Sequence, residues 1–208
     1  MGKNRVKRLI GAVAMVLTGA AGVAHADTAP ENWIFRVGGH YVEPKSNNHS
    51  IVNVDAAESL TFDVTYLYSP HWSVELLAAL PFKHDINLNA GGSRVADVKQ
   101  LPPTLTVQYN FRPNARVRPY FGVGANATLF FDENTTGALA GTDLSLRNSF
   151  GVATQLGVDL DVTPSWFMTF DARWIDIDTT AKLSGASLGT VHIEPMTVGL
   201  SIGHRFGK

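Results

Sequence analysis

Residues 72–82 read WSVELLAALPF. Trp72, Val74, Leu76, Ala78, Leu80 and Phe82 make one apolar set, and the intervening set begins with Ser73 and Glu75. Such period-two alternation marks a strand whose two faces meet different surroundings. At ~3.3 Å per residue and a tilt near 40°, this apolar face rises roughly 25 Å along a membrane normal, the height of the lipid-facing band of an outer-membrane barrel.

The same pattern recurs on both sides of that stretch. Before it come Trp33, Phe35, Val37 and Tyr41, alternating with Arg36 and His40, and then Leu60, Phe62, Val64, Tyr66 and Tyr68, alternating with Thr61, Asp63 and Thr65. After it, KQLPPTLTVQYNF (99–111) alternates from Leu105 to Phe111. Four more strands follow, 121–131, 149–160, 166–174 and 196–206. Three connections are tight turns, at 69–71, 112–117 and 163–165, whereas 45–58, 84–98, 132–148 and 178–190 read as long polar loops. Aromatic residues gather at both ends of the apolar face. Trp33, Tyr68, Trp72, Tyr109, Phe111, Phe121, Trp166 and Phe206 stand near the short turns, with Tyr41, Phe82, Phe131 and Trp174 at the far ends. The fold expected is all-β: an eight-stranded antiparallel transmembrane β-barrel with short periplasmic turns, long extracellular loops and two aromatic girdles. A soluble lipocalin-like barrel also takes eight strands, but it gives no reason for the girdles.

Composition supports export to a membrane. Residues 1–26 carry basic Lys3, Arg5, Lys7 and Arg8, an apolar run and Ala24-His25-Ala26, which reads as a cleaved signal peptide. The barrel then occupies 27–208, and its expected location is the outer membrane of a Gram-negative bacterium. Loss of those four basic residues and no acid moves the formal charge from −1 to −5, without basic clusters that would suit nucleic acid. There is no cysteine for a disulfide framework. Neither a cofactor nor a metal is implied.

The chain resembles the OmpW/AlkL family of small outer-membrane proteins across essentially its whole mature length. The resemblance is carried by WIFRVGGHYVEP (33–44), ELLAALPFKHDI (75–86), QLPPTLTVQYNF (100–111), RPYFGVGANATLFF (118–131) and GLSIGHRF (199–206). It implies a barrel that passes small hydrophobic molecules through the outer membrane, with sideways exit into the bilayer. Family members usually end on an aromatic that serves assembly, whereas Gly207-Lys208 follow Phe206 here.

Sorted by height, the inward residues fall into two groups. Arg36, His40, Asp63, Glu75, Asp159, Asp171, Arg173 and Arg205 lie low, together with Gln108, Asn126 and Gln155. An eight-stranded barrel has room inside for little beyond side chains, and unpaired buried charge is costly, so these groups are expected to pair as a polar lumen plug. High in the barrel sit Leu77, Ala79, Phe130, Ile175, Val191 and Ile193, with Pro81, Pro102 and Pro195. They are expected to line an apolar vestibule, or else to pack against folded-in loops.

Pro81, Pro102 and Pro103 fall at similar heights on consecutive strands. Proline offers no N–H to a ladder, and membrane barrels seldom leave wall hydrogen bonds unmade. These three are the candidate lateral opening, for hydrophobic solutes passing into outer-membrane lipid. Two other roles compete. A lipid-modifying enzyme would use His192 and Glu194, with Ser184 or Ser187 as nucleophile; a receptor would use the long loops to take extracellular ligands.

Overall fold

The computed structural model describes residues 32–46 and 48–207; the expected signal peptide and Lys208 lie outside them. In chain order the strands are β1 (Trp33–Glu43), β2 (Val52–Val54), β3 (Ala57–Leu67), β4 (Trp72–Ala79), β5 (Phe82–Leu88), β6 (Arg94–Leu101) and β7 (Thr104–Asn110). There follow β8 (Val117–Thr135), β9 (Leu144–Leu146), β10 (Ser149–Asp161), β11 (Trp166–Ile175), β12 (Asp178–Leu183), β13 (Ala186–His192) and β14 (Met196–Phe206).

Eight of these close a wall in the order β1-β3-β4-β7-β8-β10-β11-β14, and β14 returns to β1. All its pairings are antiparallel. Trp33 pairs with Phe206, so both ends of the described chain meet at the rim that carries the short turns. Closure removes the free edges that lipid would leave unsatisfied. The expected barrel is the barrel observed.

Alternation sets which side chains meet lipid. On β1, Trp33, Phe35, Val37 and Tyr41 are exposed on the outer wall, while Ile34, Arg36, His40 and Val42 are buried inside. At the periplasmic rim, aromatic neighbours from paired strands interlock: Trp33 lies 4.8 Å from Tyr66, and Trp72 lies 5.0 Å from Tyr109. Inside, large residues fit because glycines face them. A Cβ at Gly199 would collide with the His40 ring, and one at Gly203 with the Phe167 ring.

Above the membrane the structure adds what the sequence reading left open. The long extracellular segments carry strands of their own. β5 and β6 form a hairpin that pairs with β2 and with the upper half of β8, while β12 and β13 form another with β9 against it. Sequence alternation misses them because β2 and β9 are three residues long and β13 is exposed on both faces except at Val191. Their inward apolar residues build a core of Val54, Ile86, Val95, Val98, Ile177 and Ala181 over the barrel mouth.

Candidate functional site

The floor of the lumen is a layer of paired charges. Arg36, from β1, places Nη1 2.8 Å from Asp63 Oδ1 and 3.5 Å from Glu75 Oε2, and Nη2 3.2 Å from Asp159 Oδ2. Arg173, from β11, donates to Glu75 Oε1 at 2.7 Å and to Asp171 Oδ1 at 2.8 Å. His40 bridges Thr61 Oγ1 at 2.7 Å and Asp171 Oδ1 at 3.0 Å. Gln108 donates to Glu75 at 2.7 Å. All these side chains are buried, and Glu75 is wholly enclosed. Each carboxylate is held by a guanidinium or imidazole from its own strand, the neighbouring strand or a more distant one.

Arg205 lies at the low end of the lumen, below the central ion-paired layer. It sits at the periplasmic mouth, 2.7 Å from Asp161 and 4.9 Å over the Phe167 ring, with no hydrogen bond to the central pairs. Arg118 joins it there through Asp161 and approaches Asp159. Phe167 is the hinge of this lower seal, since Arg36, Arg118 and Arg205 all lie over its ring, at 5.2, 5.3 and 4.9 Å. Phe167, Tyr120 and Arg118 were not among the sequence-predicted floor residues. The parity of β8 and β11 points all three inward and could have found them.

Above His40 and Arg173 lies a small apolar chamber, lined by Leu77, Ala79, Phe82, Pro102, Ile175, Ile177 and Pro195. Its volume is about 20 Å³, room for roughly one water. Phe130, Ile175, Val191 and Ile193 are packed into the extracellular core above it, so in this conformation they are roof, not open vestibule. The roof also buries His84. That ring sits within hydrogen-bond distance of the Asp55 carbonyl through Nδ1, at 2.6 Å, and of Gln100 Nε2 through Nε2, at 2.9 Å. Burial holds its imidazole below the ordinary histidine value.

The three prolines flank an interruption in the wall. The β4–β7 ladder ends at Leu77 paired with Thr104, and pairing resumes at Phe82 with Gln100. Residues 78–81 thus stand opposite only 101–103, one extra residue on the first segment, which makes a bulge. A slip of one residue exchanges the faces of everything beyond it. Leu80 and Pro81 both point outward, whereas Phe82 turns inward and is 2% exposed. This corrects two expectations: Pro81 does not line the lumen, and Phe82 is not part of the outer girdle. Phe131 is only half-buried on the outward side of the extension, so Tyr41 and Trp174 are left to mark the upper girdle. The lipid-facing stripe on β4 ends at Leu80, roughly 20 Å above Trp72 along the normal.

The interruption is one-sided. Toward β8, Asn126 Nδ2 donates to the carbonyls of Pro102 and Pro103, both at 3.2 Å, and the Ala127 N–H donates to Pro103 O at 3.0 Å. Toward β4 the prolines have no N–H to give, and Leu80 turns to β3 instead. Its N–H donates to Leu60 O at 2.8 Å, and its carbonyl accepts from Ser59 Oγ at 2.9 Å. Each margin is satisfied by its outer neighbour.

The residues considered for lipid chemistry are not assembled. His192 pairs with Asp178 at the base of the β12–β13 hairpin, while Ser184 and Ser187 lie at its tip. Five strand steps at ~3.3 Å place the tip roughly 16 Å away, far beyond the reach of a base to its nucleophile.

The barrel fold agrees with that of known proteins. The OmpW family model matches residues 29–206. The chain belongs to the OmpW family. Outer membrane protein W of Escherichia coli strain K12 is 39% identical, over 97% of this chain and all of that protein. The crystal structure of the outer membrane protein OprG from Pseudomonas aeruginosa superposes with a TM-score of 0.76 at 30% identity, covering 87% of this chain and 98% of OprG. A relative in Pseudomonas aeruginosa, 27% identical over 74% of this chain and 75% of its own, is named Dibenzothiophene metabolism operon protein PahQ. This OmpW-family chain is a barrel of the Gram-negative outer membrane, surrounded by lipid.

Proposed function

We propose that this OmpW-family barrel passes small hydrophobic molecules from outside the cell into the outer membrane. A solute enters when the extracellular roof parts, is stopped by the ion-paired floor, and leaves sideways between β4 and β7 at Pro81, Pro102 and Pro103. Passage is downhill and needs no cofactor. The observation that carries the reading is the position of the apolar chamber. It rests on the charged floor and touches Pro102, on the margin where the wall ladder is missing. An apolar solute has no favourable path down through buried ion pairs, so the interrupted wall is its route to lipid. Dibenzothiophene, named with the relative PahQ, is an apolar aromatic of the chemistry such a route would take once the roof and wall part.

The test is uptake of a hydrophobic fluorescent probe by whole cells carrying the Pro81→Val, Pro102→Val, Pro103→Val variant. Restored N–H groups let the ladder close, and uptake should fall several-fold while the amount of folded barrel stays the same. Unchanged uptake would sink the lateral route.

A further inference from the structure

We propose that Asp178, His192 and Glu194 form a binding site for a divalent transition-metal ion on the extracellular rim. The three come from two segments that the hairpin register brings together. Asp178, the first residue of β12, pairs with His192, the last of β13, and Glu194 follows two residues later on the approach to β14. His192 Nδ1 lies 2.7 Å from Asp178 Oδ1 and 3.8 Å from Glu194 Oε1, and one ligand atom from each residue falls within 4.8 Å of the others. Donor atoms around a tetrahedral zinc stand about 3.3 Å apart, so modest carboxylate rotations complete a three-point set. One imidazole and two carboxylates suit borderline ions such as Zn²⁺, Ni²⁺ and Cu²⁺, with water in the remaining positions.

Lys45 Nζ lies 2.9 Å from Glu194 Oε1, so its ammonium is the competitor a metal must displace. Beneath the cluster Ile177 and Ile193, the neighbours of Asp178 and Glu194, are buried in the extracellular core and joined by the Ile193 N–H to Ile177 O bond at 2.9 Å, which sets the spacing of the two ligand-bearing segments while the roof is closed.

The test is isothermal titration of Zn²⁺ into the untagged full-length protein in detergent micelles. One ion should bind per barrel, and His192→Ala should weaken it at least about tenfold with an unchanged circular dichroism spectrum. Lys45→Gln should tighten binding by about two- to fivefold, the worth of an exposed ion pair. A wild-type protein that takes up no zinc, or a His192→Ala variant that binds as well as wild type, overturns the site. So does a Lys45→Gln variant that binds more weakly, because the lysine would then be supporting the site and not competing for it.

Discussion

The two ends of the lumen are closed by opposite means. The floor is filled by paired charge: Arg36 and Arg173 hold Asp63, Glu75, Asp159 and Asp171 at hydrogen-bond distances. The roof is closed by apolar packing of short hairpins, with Val95, Val98, Ile177 and Ile193 almost free of solvent. Paired buried charges are rigid because every alternative leaves an ion unpaired in a low dielectric. An apolar cluster held by three-residue strands and exposed hairpins opens at far smaller cost. The two closures therefore differ in kind, with ion pairs below and apolar packing above.

The strongest way to break that comparison is to remove a cation from the floor. Arg36→Met leaves Asp63 and Asp159 without their closest guanidinium, and an unpaired buried charge costs about 3–5 kcal/mol. The guanidinium unfolding midpoint of the barrel in micelles should fall accordingly. A midpoint equal to wild type would mean that packing, not charge, holds the floor.

The matching change in the roof should behave differently. Ile177 is 1% exposed and lines the chamber. Ile177→Ala removes about 2–5 kcal/mol of packing by the usual core scale, yet the loss falls on the hairpins and not on the wall. Protease sensitivity of the extracellular segments should rise, and hydrophobic-probe uptake should increase, with the unfolding midpoint of the wall little changed. A cooperative drop of the whole barrel would show that roof and wall are one folding unit.

The wall was legible in the sequence because lipid outside and polar side chains inside impose the period of two on every strand. The resemblance to OmpW/AlkL proteins pointed to the same architecture. The bulge was not legible. Leu80-Pro81-Phe82 continues the alternation on paper, and only the pairing of Leu77 with Thr104 and of Phe82 with Gln100 shows that one residue is supernumerary. Phe167 and Tyr120 were missed for a different reason: inward parity alone does not show that so narrow a lumen has room for two such rings. Their direct cross-strand partners, Gly203 and Gly157, make the room. The folded hairpins were obscured because a strand exposed on both faces, as β13 largely is, carries no alternation to read.

The smallest effect expected is a pH dependence confined to the roof. The Asp55 carbonyl, which accepts and cannot donate, fixes the proton of His84 on Nδ1, so Nε2 accepts from Gln100 while the ring is neutral. Burial lowers its pKa from 6.5, while the opened hairpin exposes a histidine with the ordinary value. As pH falls below about 6.5 the opened form therefore takes up a proton before the closed one, and closure weakens until the lower, closed-state pKa is passed. Above pH 6.5 the residue contributes no pH dependence. Gln100 is buried beside it with Oε1 unpartnered, so an amide flip supplies an acceptor to the charged ring and keeps the effect modest. Hydrogen exchange of β5 and β6 amides, compared at pH 5 and pH 8 after correction for intrinsic rates, should show less protection at the lower pH. His84→Asn retains a donor for the Asp55 carbonyl and should abolish that difference; a difference that survives the substitution must come from another group.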